Sequence, residues 1–504
     1  MKLKNISNPQ SPSDDIFNIV VQVCEFFKDQ NGEMYLIMSG GNGYMLQYLS
    51  RTTETKSFFR KLYFNTYNKM VKNAEVLTAY DTICSLVDTC TDIVPVFTRV
   101  AQNEATIFYD LVSTRDDVVM IDKTGVSVVN AGSIKDLYFY RDSSMKEQQK
   151  PIDSGYGLID FVEEVFNISQ EQCLLFVVYI CASFVPEISH PILIVEGEKG
   201  SGKTTLLKKL LDIINPVCKD VFILSRNTDN LITALSNNYF SVFDNVGTLS
   251  DEVSNILCQA STGGTLVKRK LYSDNTALSV NIKRLVALNG INLEISQSDL
   301  LDRAILIRLE RITDSKRCSD KVINERFDEV LPSVLANIFS ILSRALRLYS
   351  EKTLEERPRM ADFCEYGYAI AEAIFKGYGV KFIEQYKQNI KFATESAIEE
   401  NPLLECIRYI ADEGYWYGTA SELLLKLKGL LPKVYIGRNL PENFPKSANA
   451  LSRKLNLHQH ELKNMGIKIN IGRAKERFIA ISKEDKLLPS VSTIPTINLE
   501  NIKM

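Results

Sequence analysis

The stretch Gly197–Thr205 is where residue type and spacing most clearly support chemistry. Its glycines let the backbone wrap so that several N–H groups point at one anion. Lys203 would reach the β- and γ-phosphates of a nucleoside triphosphate, and Thr204 would hold Mg²⁺ through its hydroxyl. The pattern therefore predicts a site for ATP and Mg²⁺. Its predicted cofactor-binding residues are Gly197, Glu198, Lys199, Gly200, Ser201, Gly202, Lys203, Thr204 and Thr205.

The residues on either side predict the strand and the helix that would position this loop. Ile192, Ile194 and Val195 form a β-branched apolar run typical of a buried parallel strand. After the loop, apolar residues recur at helical spacing, at Leu206, Leu207, Leu210, Leu211, Ile213 and Ile214. The N-terminus of that helix would add positive dipole to the phosphate site. A glycine-rich turn without function is the alternative, and the strand and helix signals argue against it.

Two further apolar runs predict strands that end in polar residues. Tyr239–Phe243 is followed by Asp244 and Asn245, and an Asp at this place would bind Mg²⁺ through water. Leu285–Leu288 is followed by Asn289, at the sheet edge where γ-phosphate and attacking water would lie. Asn245 can orient water but cannot accept its proton. Hydrolysis then needs another carboxylate, a backbone-positioned water or a slow rate.

Between these strands lies a basic segment that predicts a β-hairpin. Thr262–Tyr272 has the pattern of a strand, Ser273–Thr276 is a turn signal, and Ala277–Ile282 returns as a strand. The first strand carries Lys268, Arg269 and Lys270. These side chains would contact nucleic-acid phosphates. A solvated charged ribbon is the alternative.

An arginine after the hairpin is a second candidate for the phosphate chemistry. Arg303 follows Asp299 and Asp302 and precedes the predicted strand Ile305–Leu309. An arginine at such a place can act as an arginine finger on the ATP of a neighbouring subunit. The alternative is a salt bridge within the chain to Asp299 or Asp302.

The first 150 residues contain no motif that we attach to chemistry. Short β-rich runs at 105–109, 118–121 and 126–129 predict a small antiparallel unit, and Asp15–Phe27 has the pattern of an amphipathic helix. Residues 142–157 are polar and predict a linker, and Leu158–Val185 predicts a helical stretch.

Beyond the predicted sheet, Asn337–Leu348 and Ala361–Ile374 have helical periodicity, and 395–401 is acidic and hinge-like. From Pro402 the pattern is three helices at 403–412, 419–428 and 447–455, then strands at 467–471 and 477–481. That succession predicts a winged helix, a helix-turn-helix variant. Residues 483–504 predict a disordered tail.

The charge of the winged-helix segment indicates what kind of partner it binds. Residues 421–480 contain twelve Lys and Arg against four Glu, within a chain of net charge −3. Concentrated positive charge in a small domain is typical of nucleic-acid binding. A basic protein-interaction domain is the alternative. The predicted DNA contacts are Ser447, Asn449, Arg453 and Lys454 on or near the recognition helix, and Arg473, Lys475 and Arg477 along the wing. We expect His458 and His460 to be surface residues.

Three classes of protein are not expected from the sequence, namely zinc-binding, secreted and membrane-spanning proteins. The ten cysteines show no C-x-x-C pair, so we expect no zinc site and mostly buried free thiols, as in a reducing cytoplasm. The N-terminus lacks the apolar core of a signal peptide. The longest uncharged apolar segment, Cys173–Val185, is shorter than a membrane span and predicts a buried helix.

The order strand–P-loop, strand–Asp, basic hairpin, strand–Asn and D-x-x-D-R-x-I resembles AAA+ helicases of the MCM and superfamily 3 groups. Phrases such as Leu288–Ile291 and Pro358–Phe363 are similar to Rep initiators of staphylococcal pathogenicity islands and MCM-like helicases of staphylococcal cassette elements. The resemblance covers about residues 155–480. It implies that Asp244 is the Walker B acid, Asn289 sensor 1, Arg303 a trans arginine finger and Arg359 a candidate sensor 2. Relatives often have Glu where this chain has Asn245, which leaves the catalytic base open.

The expected fold is α/β: an AAA+ P-loop core with a pre-sensor-1 β-hairpin and helical lid at 151–395, preceded by a mixed α+β domain at 1–150 and followed by a winged helix at 402–482. The resemblance implies a self-loading hexameric DNA helicase and replication initiator of a mobile element in the bacterial cytoplasm. Its partners would be origin duplex, single-stranded DNA, a homo-hexamer and host replication proteins, with no membrane. The alternative is an origin-binding AAA+ ATPase that melts or marks DNA without processive unwinding.

Overall fold

The computed structural model describes residues 2–483 except 41–42, 50–51, 219–222, 226, 248, 270–276, 291–297, 314–317, 350–357, 400, 435–443 and 474–476. The chain divides into two compact units. The first comprises Met1–Leu293 and Arg303–Asn389, and the second comprises Glu294–Asp302 and Ile390–Met504. The predicted tail after residue 483 lies outside the described residues.

The first unit begins with three helices and a small antiparallel sheet. Its elements are α1 (Pro12–Val23), β1 (Glu25–Lys28), β2 (Met34–Gly40), β3 (Gly43–Tyr48), α2 (Thr52–Tyr67) and α3 (Asn73–Asp88). Helix α1 begins before the predicted Asp15, and it ends before the predicted Phe27 because Cys24 is extended and residues 25–28 pair with β2. Phe26 and Phe27 are therefore buried side chains of a strand and not of a helix.

Two further sheets follow, a four-stranded antiparallel sheet and a two-stranded parallel sheet, and the first confirms the strands predicted between residues 105 and 129. The strands are β4 (Val96–Phe97), β5 (Val100–Asn103), β6 (Thr106–Asp110), β7 (Asp117–Ile121), β8 (Val126–Asn130) and β9 (Tyr138–Phe139). Strands β5 to β8 form one sheet in chain order, and β4 pairs with β9. Polar turns at Asp116 and at residues 122–125 reverse the chain between the strands.

The predicted helical stretch Leu158–Val185 is two helices, α4 (Leu158–Val165) and α5 (Gln170–Ala182). The chain is extended at Phe166, and Ser169 precedes the first turn of α5. Every residue of α5 from Cys173 to Ala182 is buried, which confirms a buried helix in that apolar segment.

A four-stranded parallel sheet forms the centre of the first unit. Its strands and the helices between them are β10 (Ile192–Gly197), α6 (Lys203–Ile214), α7 (Thr228–Asn237), β11 (Phe240–Phe243), α8 (Asp251–Thr262), β12 (Gly264–Arg269), β13 (Ala277–Ile282), β14 (Leu285–Asn289) and, after α9 (Ser298–Leu301) of the second unit, β15 (Ala304–Leu309). The strand order is β11-β14-β10-β15, with every pair parallel. All residues of β11 and β14 are buried.

The predicted hairpin is confirmed as a backbone feature, since β12 and β13 pair antiparallel from Gly264↔Ile282 to Arg269↔Ala277. Residues 221–224 also have the apolar sequence pattern of a strand. Residues 221–222 lie outside the described residues, and 223–225 have no strand structure, with Ile223 91% exposed. A β-rich run without a buried face does not form part of the sheet.

Three long helices follow the parallel sheet: α10 (Asp320–Leu348), α11 (Ala361–Ile374) and α12 (Tyr378–Glu399), which belongs to the first unit up to Asn389. They contain both helices predicted from the periodicity at 337–348 and 361–374. The hinge predicted at 395–401 is wrong for residues 395–399, which continue α12. Helix α10 is long and apolar enough to cross a membrane, but 61% of its most apolar window is buried inside the structure, as in the core helix of a soluble protein.

The second unit contains α13 (Pro402–Glu413), β16 (Trp416–Gly418), α14 (Ala420–Val434), α15 (Ala448–Leu457), α16 (Gln459–Asn464), β17 (Ile467–Arg473) and β18 (Arg477–Lys483). The three predicted helices and two predicted strands are present. Two elements after Pro402 were not predicted, namely α16 and strand β16, which pairs with β18. The prediction of a surface His458 is wrong, because this residue follows α15 and is only 3% exposed.

The prediction of free and mostly buried thiols is confirmed. All ten cysteines are free thiols, and seven of them are buried. Burial raises the pKa of the Cys24 thiol to about 12, so it stays protonated at neutral pH.

Asn389 of α12 holds the edge strand β15 through two side-chain hydrogen bonds. Its buried side-chain amide donates to the carbonyl of Leu306 at 2.7 Å and accepts from the N–H of Leu306 at 2.9 Å, so it pairs with edge strand β15. Asn389→Ala leaves two buried backbone groups without these partners and should cost about 2 kcal/mol in the free energy of unfolding. Urea denaturation measures it. Gln388→Ala, at the exposed neighbouring position, is the control; equal losses for the two variants would show that the Asn389 amide does not hold the edge.

Candidate functional site

The glycine-rich loop joins the carboxyl end of β10 to the amino end of α6 in the centre of the parallel sheet. Gly197, Gly200 and Gly202 have φ angles of 151°, 85° and 89°, which favour glycine. A Cβ on Gly197 would lie 2.5 Å from the carbonyl oxygen of Leu309 on the adjacent strand. The loop can therefore wrap this closely only with glycine at that position.

Lys203 begins helix α6, and its ammonium group folds back over the loop. Nζ donates to the carbonyls of Gly197 at 2.6 Å and Glu198 at 2.9 Å. Burial lowers the pKa of Lys203 from its ordinary value, and the negative charge of Asp244 opposes that shift. A buried ammonium group at a helix N-terminus, held by two neutral carbonyls, is suited to exchange them for an anion.

Two of the predicted site residues, Thr204 and Asp244, meet across the sheet. Thr204 Oγ1 lies 3.1 Å from Oδ2 and 3.3 Å from Oδ1 of Asp244, which directly follows β11. A hydroxyl and a carboxylate are the hard oxygen ligands that Mg²⁺ prefers. The two side chains therefore fit a magnesium ion bound beside the loop.

Asn289 and Asn245 form the third part of the site. Asn245 has a φ of 54°, and its N–H donates to Asn289 Oδ1 at 2.8 Å and to Asp244 Oδ1 at 2.9 Å. The next N–H, of Val246, donates to the Asn289 carbonyl at 2.8 Å. Asn289 is 1% exposed, and its Nδ2 is a buried donor without a hydrogen-bond partner in the described part of the chain. A phosphate oxygen or a water could satisfy it.

Arg303 and Arg359 are placed differently from these residues. Arg303 precedes β15, whose first residue pairs with Ile192 at the start of β10, so it lies at the opposite end of the strands from the loop. The strand between Ala304 and Leu309 separates the two ends by roughly 16 Å. Arg359 is exposed just before α11, and its predicted role stays a prediction.

One charged pair beside the loop was missing from the predicted set. Glu196, which precedes Gly197, lies 3.4 Å from Arg308 of β15. These two residues are direct neighbours in the β10–β15 register. Neither residue could be selected from the sequence, because their contact follows from the pairing of β15 with β10.

The predicted nucleic-acid residues fall into two groups. Lys268 and Arg269 lie on β12, but their side chains and all of Lys270 are outside the described residues. In the second unit, Asn449 and Arg453 are exposed one turn apart on α15, and Lys454 is half-buried. Ser447 is the N-cap of α15, and its hydroxyl accepts from the Ala450 N–H at 3.3 Å.

The wing prediction is described only in its backbone. Arg473 and Arg477 are paired across β17 and β18, at the ends nearest the turn, while Lys475 lies outside the described residues. A hairpin whose end carries basic residues therefore follows a helix with an exposed polar face. The contacts of both elements with DNA remain predictions.

Comparison with known families identifies two segments. Residues 157–390 match the family described as the actinomycete integrative conjugative element replication protein, and residues 403–494 match the family described as the RepA C-terminal domain of such elements. Over these two segments the chain is similar to RepA replication proteins of integrative conjugative elements. The first match contains the loop, the parallel sheet and the hairpin, and the second contains α13 to β18 of the RepA-like chain. None of the curated proteins matches it in sequence.

Solved structures similar to the RepA-like chain include one titled as the active helicase Cch of SCCmec type IV, with 14% identity, TM-score 0.46, and 91% and 93% of the two chains covered. Another is the apo C-terminal region of NrS-1, with 13% identity, TM-score 0.39, and 94% and 99% covered. A likeness of this degree does not extend to function.

Lys203→Ala should abolish nucleotide binding, because no other side chain in the loop replaces its ammonium group at the phosphate position. Titration calorimetry with ATP and Mg²⁺ measures this loss. Lys208→Ala is the matched control, since Lys208 is an exposed lysine of helix α6 outside the predicted binding residues and should keep the wild-type affinity. Wild-type affinity in Lys203→Ala would refute the assignment of this loop.

Proposed function

We propose that this chain is an ATP-dependent DNA helicase and replication initiator of a mobile genetic element that works as a hexamer. The observation that carries the proposal is the meeting of Lys203, Thr204, Asp244 and Asn289 at one end of a parallel sheet, within a RepA-like segment. Under this proposal the first unit contains an AAA+ core with its helical lid, and the second unit is a winged helix.

The loop N–H groups and the amino end of α6 would hold the phosphates of ATP. Lys203 would leave the carbonyls of Gly197 and Glu198 to bind the β- and γ-phosphates. Thr204 and Asp244 would hold Mg²⁺, which when bound neutralises charge on the phosphate oxygens. Asn289 would use its buried Nδ2 to bind the γ-phosphate or the attacking water.

The position of Arg303 supports action on a neighbouring subunit. Because it lies roughly 16 Å from the loop along β15, it is poorly placed to reach ATP bound to its own chain. An arginine finger supplied in trans neutralises charge that develops on the γ-phosphate and makes hydrolysis depend on assembly. In a ring of identical subunits, each subunit would supply its Arg303 to the ATP of the next.

DNA would contact two parts of the chain. The hairpin with Lys268, Arg269 and Lys270 would follow one strand through the ring, because its basic side chains match the phosphate backbone. The exposed face of α15, with Asn449 and Arg453, would lie in the major groove of origin duplex, and the β17–β18 turn would contact the backbone. Host replication proteins are further candidate partners.

A second function is favoured by Asn245. An amide follows Asp244 where a carboxylate would accept the proton of water, so slow hydrolysis is expected unless another base acts. The chain would then bind, melt or mark the origin without processive unwinding. Strand displacement on a forked duplex separates the two. Unwinding that requires ATP supports the helicase, whereas ATPase activity and origin binding without unwinding support the initiator and contradict the helicase.

Arg303→Ala should keep the affinity for ATP and lose hydrolysis, because its guanidinium acts only on ATP of the adjacent subunit. Mixing Arg303→Ala with Lys203→Ala subunits should restore part of the ATPase rate, since mixed interfaces combine an intact loop with an intact arginine. A steady-state ATPase assay across mixing ratios measures this. No recovery at any ratio, together with lost folding of Arg303→Ala, would indicate an internal structural role instead.

Arg453→Gln should weaken binding to origin duplex by about tenfold, which corresponds to the loss of one base or phosphate contact of ~1.4 kcal/mol. Fluorescence anisotropy with labelled duplex at fixed salt measures the affinity. Arg408→Gln is the control, because Arg408 is exposed on α13 of the same unit and pairs with Glu405 at 3.0 Å. Equal weakening by both variants would argue for general charge and against recognition by α15.

A further inference from the structure

The carboxyl end of helix α6, the helix that begins at Lys203, is buried against the N-terminal region. Asn215 ends this helix with its N–H donating to the Leu211 carbonyl at 2.8 Å, and it is 0% exposed. The last carbonyls of any helix lack partners within the helix, so a buried helix end needs donors from elsewhere. Here those donors come from residues 99, 109 and 148.

Arg99 precedes β5 and is 0% exposed. Its guanidinium donates to the side-chain oxygen of Asn215 at 3.1 Å and to the carbonyl of Pro216 at 2.9 Å, just beyond the helix. It also donates to the carbonyls of Asp110 at 3.0 Å and Lys146 at 3.2 Å. One buried cation therefore joins the N-terminal sheet to the end of α6.

Two neutral side chains donate to the carbonyls of Asp212 and Ile213 near the end of the helix. Gln148 Nε2 donates to the carbonyls of Asp212 and Ile213, each at 3.0 Å, and to the hydroxyl of Tyr109 at 3.1 Å. The Tyr109 hydroxyl donates to the Ile213 carbonyl at 3.4 Å. The Tyr109 ring lies 5.2 Å from Phe184 and 5.5 Å from Phe339, so this cap is fixed in the core of the first unit.

We propose that Arg99, with Tyr109 and Gln148, forms a clamp on the carboxyl end of the phosphate-binding helix and so positions Lys203 and Thr204 for nucleotide. This inference rests on the proposed function of the loop. It gives the N-terminal region a role in nucleotide binding. Arg99 is a positioning residue, since its hydrogen bonds within the described part of the chain go to Asn215, Pro216, Asp110 and Lys146 and to none of the loop residues.

The clamp acts through the rigidity and dipole of the helix. Helix α6 has 12 residues and spans roughly 18 Å, so a change of tilt at its far end moves the loop residues at its start. A cation at a helix carboxyl terminus complements the negative end of the dipole. The same helix presents its positive end to phosphate. Arg99 therefore stabilises the helix in the orientation that binds an anion.

The segment after the helix is also paired with the N-terminal region. Residues Met145 and Val217 form an antiparallel bridge, the Lys146 N–H donates to the Pro216 carbonyl at 2.9 Å, and the Cys218 N–H donates to the Ser144 carbonyl at 2.7 Å. These backbone bonds do not depend on the Arg99 side chain. Removing that side chain should therefore loosen the helix end without releasing the whole N-terminal region.

The test compares the Kd of a fluorescent ATP analogue with Mg²⁺ for the full-length wild type, Arg99→Met and Arg99→Lys. Arg99→Met should weaken binding about tenfold, or ~1.4 kcal/mol, and Arg99→Lys should recover part of it because the charge remains at the helix end. Unchanged affinity in Arg99→Met would overturn the inference. A wild type that does not bind nucleotide would instead overturn the proposed function.

Arg141→Met is the matched control for general damage to the N-terminal sheet. Arg141 pairs with Asp110 at 2.7 Å and with Asp116, both within the N-terminal region, so its loss should lower the melting temperature without changing the Kd. An equal change of Kd in Arg141→Met and Arg99→Met would contradict a clamp. If Arg99→Met does not fold, Gln148→Met serves, with an expected weakening of roughly twofold to fivefold from the loss of its hydrogen bonds; wild-type affinity there would contradict the clamp.

Discussion

The 3.1 Å contact between Thr204 and Asp244 is the constraint on which the rest of the site depends. It exists because β11, β14 and β10 are adjacent and parallel, which brings three carboxyl ends to one edge. The glycine-rich loop follows β10, Asp244 follows β11, and Asn289 ends β14. Asn289 then fixes the turn at Asn245 through two backbone N–H groups.

The far end of the same helix depends on a different part of the chain. Lys203 and Thr204 begin α6 at the sheet edge, while Asn215 ends it beside the N-terminal sheet, where Arg99 and Gln148 supply donors. The N-terminal region and the parallel sheet consequently share one compact unit and one helix. If the clamp positions the loop as we propose, this shared helix is how a region without a catalytic motif takes part in nucleotide binding.

Local sequence patterns predicted most residues of the candidate site. The elements and contacts that they missed depend on pairing between distant parts of the chain. The loop, Asp244 and Asn289 were predicted because each follows or ends a strand whose apolar run is visible in the sequence. Strand β16 has three residues and forms only by pairing with β18, and Glu196 faces Arg308 only once the register is known. His458 was predicted on the surface because a polar residue after a helix gives no signal of burial. The clamp at Arg99 joins residues more than a hundred positions apart, which periodicity does not report.

The most direct test is an experimental structure with Mg²⁺, a non-hydrolysable ATP analogue and forked DNA. We predict that Lys203 Nζ leaves the carbonyls of Gly197 and Glu198 for the γ-phosphate, with Mg²⁺ between Thr204 and Asp244 and Asn289 Nδ2 within hydrogen-bond distance of the γ-phosphate or of a water beside it. We also predict a ring in which Arg303 of each subunit reaches the analogue of the next. An analogue bound away from the loop, or bound at the loop with Lys203 still on its two carbonyls, would contradict the proposed site.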